Sequence, residues 1–263
     1  MRDPEPEPGD AYARAIAAVP SLREAVTPAA GATEFPGALL TDRDWLAART
    51  ADAARRWNCD DRRVAATLWW YSASSTLLSI PATMLLTTGL APDPAPGRLT
   101  CTLRPDGYLG TVRSDRLVRG PEALAARLRA AIGPTVAALA DLGGAGTRSL
   151  WAIAADSLGN RALDAGTALG APVLGSALAV DLAELIGHPM PPPRFVDVGR
   201  GGPVAADPRS APAPGSRRVV RRLSCCLIYE TEPDPVAAER AKCTSCPRQQ
   251  PSVRAARLGA LLG

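Results

Sequence analysis

Six cysteines occur in the 263 residues, and four of them form two close pairs, Cys225-Cys226 and Cys243-Thr244-Ser245-Cys246, with sixteen residues between. Thiolates favour soft and borderline metals, so two such pairs are able to converge on one metal centre. A Cys-x-x-Cys turn sets two sulfurs on one side of a tight loop, and Pro247 directly after it stiffens that loop. The vicinal pair behaves differently. On an extended strand neighbouring side chains point to opposite faces, so Cys225 and Cys226 both bind only if the chain bends there. A structural zinc draws four sulfurs around one small ion, usually from two knuckles with spaced cysteines. A two-iron cluster offers two metal ions and accepts ligands that diverge more. The vicinal pair therefore favours iron–sulfur, with zinc and a redox disulfide as the alternatives. Cys225, Cys226, Cys243 and Cys246 are the candidate metal and cofactor ligands, and no catalytic residue is assigned beyond them. Cys59 and Cys101 stand far from this pattern in sequence and read as ordinary buried thiols.

The formal net charge of +4 is unevenly spread: from Arg217 onward nine basic residues face four acidic ones. A positive tail suits nucleic acid, an acidic partner or an anion held within the protein. With no recognisable helix-turn-helix, no nucleic acid is expected. An oxidised two-iron cluster on four thiolates is itself an anion, and reduction adds a further negative charge. Arg217, Arg218, Arg221 and Arg222 would favour the reduced form if they fold beside it; otherwise they form a solvated basic strand.

Met1 to Asp10 alternates proline with acids and lacks the basic start and apolar run of a signal peptide, so it reads as a short disordered lead. Val64 to Leu90 is apolar enough to consider as a membrane span. Its many Ser and Thr residues and central Pro81 favour a buried helix pair instead. The protein is expected in the cytoplasm, where thiols stay reduced and cysteine clusters serve metals or catalysis.

The elements that must carry the cysteines are mainly helical. Helical spacing marks Asp10 to Val19 and Thr41 to Trp57, with Thr41 as N-cap and Asp44 in a capping-box position. Asp60 to Leu78 is a further helix, and Pro81 opens a separate short one ending near Gly89. Ala91 to Gly97 reads as a loop. Arg98 to Arg104 and Tyr108 to Val112 pair as a hairpin around Pro105-Asp106-Gly107. Helices follow at Pro121 to Ile132, then after a break or kink at Gly133-Pro134 from Thr135 to Leu142, and at Thr147 to Gly170 and Ala171 to Gly187. Gly143 to Gly146 lacks a nucleotide-binding fingerprint and reads as a helix-to-helix turn. Trp69, Trp70 and Tyr71 cannot all face one pocket from a helix, and core packing is the first expectation for each. His188, the only histidine, precedes Pro189 and reads as an exposed loop residue.

The expected class is α+β and mainly helical: a helical domain with a short β-hairpin plus a small C-terminal iron–sulfur module. The boundaries are a mainly helical region over 1–188, a Pro/Gly-rich linker over 189–216, and the cluster module over 217–263. The last is too short to bury much core alone and needs a metal or a docking face.

Arg221-Arg222-Leu223-Ser224-Cys225-Cys226-Leu227-Ile228-Tyr229, followed by Cys243-Thr244-Ser245-Cys246, resembles the C-terminus of the FhuF-like ferric-siderophore reductases, whose pattern is Cys-Cys-x10-Cys-x2-Cys around a [2Fe–2S] cluster. Arg62-Arg63-Val64-Ala65-Ala66-Thr67-Leu68-Trp69-Trp70-Tyr71, leading to Pro81, is similar to that family's apolar helical segment. One departure is the gap of sixteen rather than ten. Longer surface loops cost little closure entropy, and Pro233 to Ala241 has room for a small excursion. The resemblance implies a cytoplasmic oxidoreductase that reduces a ferric siderophore, hydroxamate or related, by one electron through a [2Fe–2S] cluster. Fe(II) is held more weakly than Fe(III) by hard oxygen ligands, so reduction releases it. With no nicotinamide or flavin site apparent, the electron donor is expected to be a protein such as a ferredoxin, or a small reductant. Transient contact with a siderophore uptake system is a further implied interaction. The rival readings are a zinc-stabilised binding module and an iron–sulfur redox sensor.

Overall fold

The computed structural model describes residues 7–262. It is an α+β fold, mainly helical, with three small antiparallel sheets. Of the expected N-terminal lead, Met1 to Pro6 lies outside the described residues. Its last residues, Pro8 to Asp10, form the first turn of α1 (Pro8–Ala18), where proline's missing N–H is no loss. The short α2 (Leu22–Val26) follows. Helix α3 (Arg43–Arg56) is capped by Asp42 rather than Thr41: the Asp42 carboxylate accepts from Trp45 N at 2.7 Å, while Thr41 closes a 3-10 turn before it. A carboxylate one residue nearer the helix reaches the orphan amide that the threonine cannot.

The central element is α4 (Arg62–Thr88), capped by Asp61 and ended by Gly89 at φ 69°. It is one helix, not the expected two, and Pro81 lies within it. An interior proline costs about 3 kcal/mol. Leu78, Ile80, Met84 and Leu85 are buried around it, and each such burial is worth roughly 1.5–3 kcal/mol, so packing carries the helix through. Helix α5 (Gly120–Gly143) likewise runs unbroken past Pro134. There Ala130, whose carbonyl loses its partner, is exposed and open to water. Among the described residues α5 is the one helix long and apolar enough to cross a membrane. Its Leu124, Leu128, Ile132 and Leu139 are buried in the core. Helices α6 (Thr147–Ala168) and α7 (Pro172–Ile186) complete the bundle, and Gly144, at φ 67°, makes the expected turn between α5 and α6.

Trp69 and Trp70 face the main core, with Trp70 Nε1 donating to Leu150 O at 2.8 Å. Strands β1 (Glu34–Pro36), β3 (Leu99–Leu103) and β4 (Leu109–Ser114) form one sheet around the expected hairpin. The stretch read as a loop contains β2 (Leu90–Pro92), which pairs with β5 (Leu117–Arg119).

The largest departure lies in 189–216. In place of a linker, β6 (Phe195–Gly199) and β7 (Gly202–Ala206) fold back on each other and pair with β8 (Arg217–Val220) in the order β7-β6-β8. Phe195 and Val220 enter the main core. Proline and glycine dominate the composition of this stretch, but they sit at its turns and edges. Asp197 and Arg218 face each other in the β6–β8 register and form a two-pronged ion pair, 2.9 and 3.0 Å, with the arginine buried. Gly159 of α6 lets this sheet approach, because a Cβ there would come within 3.2 Å of Val220 and 3.0 Å of Pro193. Beyond the sheet come α8 (Pro235–Ala241) and α9 (Pro251–Gly259).

Candidate metal centre

β8 delivers the chain to the cysteines, and α6 stops it there. After Val220 the strand ends, and the Asp156 carboxylate of α6 accepts from Leu223 N at 2.8 and 3.0 Å and from Ser224 N at 3.1 Å. Ser224 Oγ also lies 2.8 Å from Ser149 Oγ. The bend that a vicinal pair requires follows at once. Leu227 adopts φ 65°, and its N–H points back to Cys225 Sγ at 3.4 Å. A left-handed leucine is unfavourable; here it turns the chain directly after the vicinal pair.

The second pair sits on a closed turn, Cys246 N donating to Cys243 O at 2.9 Å and Gln249 Nε2 to the same carbonyl at 2.7 Å. The extra length between the pairs is taken up by a 3-10 turn over Ile228–Thr231 and by α8, which Asp234 caps through Ala237 N. The expected excursion over Pro233 to Ala241 is thus largely helical.

The four cysteines gather in one cluster. Cys225 Sγ is 3.6 Å from Cys246 Sγ, and Cys226 and Cys243 both lie against Arg222. Cys225, Cys226 and Cys246 are buried, and Cys243 is half-buried. Val64 and Leu68 of α4, one helical turn apart, pack against them with Leu227, and Tyr71 continues that face. The segment 62–71 therefore walls the cysteine site on one face and fills the main core with the other. Cys59, expected far from the pattern, packs in this same jacket. Cys101 lies in the hairpin core, where burial pushes its thiol up to about 12, as for an ordinary buried cysteine.

Of the four arginines that would act on the centre if they folded beside it, Arg222 reaches the sulfurs. Its Nη1 lies 3.1 Å from Cys243 Sγ and 3.9 Å from Cys226 Sγ, and the guanidinium stacks 4.7 Å over the Tyr71 ring. Hydrogen bonds from Cys225 and Cys243, with Arg222 alongside, hold the Cys226 thiol far below its ordinary value. The Cys225 and Cys243 thiols are pushed up, chiefly because they donate to Cys226. Arg218 is spent on Asp197 and on Ser176 Oγ at 3.0 Å, in a structural role.

Asp156 is the residue that sequence reasoning missed. Its carboxyl is fully buried and pushed up to about 6 by that burial, against the two backbone amides and Arg222. The one local signal is an acid directly after the apolar run Leu150 to Ala155 of α6. His188 is exposed, as expected.

Does this donor set fit a metal group? Two sulfurs on one tetrahedral ion at metal–sulfur distances of about 2.3 Å stand about 3.8 Å apart, close to the 3.6 Å between Cys225 and Cys246. The close contact of Cys225 is thus with a cysteine of the other sequence pair, while Cys226 and Cys243 both lie against Arg222 Nη1. Arg222 Nε and Nη2 are buried without a hydrogen-bond partner among the described residues, which suits an additional anion beside the sulfurs. In the described residues as they stand, no three His, Cys, Asp or Glu side chains surround a position for a metal ion. The thiols instead contact one another, so loading requires deprotonation and small side-chain rotations. No protein-family model matches the chain, and no curated protein matches it.

Proposed function

We propose that the protein is a cytoplasmic ferric-siderophore reductase holding a [2Fe–2S] cluster on Cys225, Cys226, Cys243 and Cys246. The observation that carries this reading is the meeting of four cysteine sulfurs with the buried, incompletely partnered guanidinium of Arg222. Bound there, the cluster would supply reversible one-electron transfer, and reducing Fe(III) to Fe(II) is a one-electron task. Arg222 favours added negative charge at the sulfurs of Cys226 and Cys243. Asp156 fixes the backbone that presents Cys225, and the apolar jacket of Val64, Leu68 and Leu227 keeps bulk water away. The half-buried Cys243 marks the side on which electrons enter or leave. The donor in this reading is a ferredoxin-like protein or a small reductant.

The test is the iron, acid-labile sulfide and zinc content of anaerobically purified protein beside a Cys243→Ala variant, followed by assay of ferric-siderophore reduction. Equal iron and sulfide, lost in the variant, with turnover of the ferric chelate, is the expected result. Zinc without sulfide would remove the reductase and favour the binding module. An intact cluster without turnover would favour the redox sensor.

A further inference from the structure

A recess of about 490 Å³ lies between the β6–β8 sheet, the Cys243–Cys246 loop and α9. This volume is in the range of small-molecule sites and is too confined for a protein surface. It touches the cysteine site directly: Arg222 and Ser245 line it, and Gln249, also in its wall, donates to the Cys243 carbonyl.

Its charge sets it apart from the other polar recesses. Arg221, Arg222 and Arg254 line it with no acidic residue. Asp156 balances Arg222 from behind, and Arg221 and Arg254 have no carboxylate partner among the described residues. In the recess that opens on Cys225, Arg63 is already paired with Asp61 and Glu230, which leaves one arginine there, Arg248, without a carboxylate partner, against two in the α9 recess. In the one beneath α4, Arg104 is paired with Asp106 and Arg161 with Asp164. Uncompensated positive charge is therefore concentrated beside the cysteines on the α9 side. A second observation points to a ligand. Gln249 is 6% exposed, and its Oε1 is buried with no hydrogen-bond partner among the described residues, although buried acceptors are almost always satisfied.

We propose that this recess docks an anionic, oxygen-rich ferric chelate, held through Arg221 and Arg254, with Gln249 Oε1 accepting from a hydroxyl or amide N–H of the ligand. The inference rests on the reductase reading and narrows its substrate to chelates carrying net negative charge. Guanidinium groups suit anionic oxygens, and a neutral chelate would leave two arginines uncompensated.

The experiment uses full-length, anaerobically purified protein and redox-inert gallium(III) complexes, titrated calorimetrically. One is an anionic tris-catecholate and the other an uncharged tris-hydroxamate. The anionic complex should bind at least about tenfold more tightly, with an advantage that shrinks as salt is raised. Arg221→Gln/Arg254→Gln should weaken it by about tenfold or more while iron and sulfide content stay unchanged, and Arg254→Lys should retain most of the affinity. Equal affinity for the two complexes, or an unchanged affinity in the double variant, overturns the proposal even if the protein reduces ferric chelates. Protein that lacks iron and sulfide yet keeps the charge-selective binding would uphold the recess and remove the redox function.

Discussion

The carboxylate of Asp156 lies 3.7 Å from Nε of Arg222, and both side chains are buried, at 0% and 3% exposure. One buried acid thus holds both the backbone ahead of Cys225 and the guanidinium that touches Cys226 and Cys243. A buried pair of this kind is weak support for net stability, but removing one partner leaves the other uncompensated.

Asp156→Ala should destabilise the protein by about 3–5 kcal/mol and lower its iron and sulfide content. It strips Leu223 N and Ser224 N of their acceptor and Arg222 of its charge partner together. Urea unfolding and metal analysis would check this. A variant as stable and as fully loaded as the parent would rule out the anchoring role.

The raised carboxyl of Asp156 also sets a pH dependence. Its folded value is about 6 against an ordinary value of 3.8. Between these values the folded state binds the proton more tightly than the unfolded chain. The contribution is therefore most favourable below about pH 4 and is lost as pH rises through about 6, on the order of 3 kcal/mol in all. Stability measured from pH 4 to 7 in the parent and in Asp156→Asn should differ by that descending component. Parallel curves would contradict it.

Arg222→Gln should lower the midpoint potential of the loaded centre by on the order of 100 mV, because a positive charge beside Cys226 and Cys243 favours reduction. Arg222→Lys should recover part of the shift. Redox titration followed by electron paramagnetic resonance reads it directly; an unmoved potential would detach Arg222 from the electron-transfer role.

In metal-free protein, mild oxidation should join Cys225 to Cys246, whose sulfurs are 3.6 Å apart, ahead of the sequence-adjacent Cys225–Cys226 bond. Peptide mapping by mass spectrometry distinguishes the linkages. A predominant Cys243–Cys246 bond would show that the two pairs do not interleave as described.

Asp197→Ala should cost about 3–5 kcal/mol, since it leaves the buried Arg218 unpaired. The loss should spread to the cysteine site, because β8 carries the chain into it. Thermal unfolding with and without bound iron would show whether sheet and site fail together; independent transitions would argue against that coupling.

The amino-acid sequence by itself determined which four cysteines stand out as two close pairs, the mainly helical class and the hairpin around Pro105-Asp106-Gly107. These are local statements: thiol spacing, 3.6-residue periodicity and turn chemistry act over a few neighbouring residues. Only the tertiary structure decided what depends on contacts between distant segments. Pro81 continues a helix because packing on α4 outweighs the local cost of proline. Phe195 to Gly199 become a strand because β8 pairs with it and the helical core buries Phe195, and Gly202 to Ala206 pair along its other edge, although proline and glycine in the sequence suggested a linker. Asp156, sixty-seven residues before Leu223, had no local sign of its partners. The pairing of Cys225 with Cys246 likewise follows from the bend at Leu227 and the turn at Cys246, whose relative placement no spacing rule contains. A buried charge finds its role only when the fold brings donors to it, and the fold is set by burial of apolar surface drawn from the whole chain.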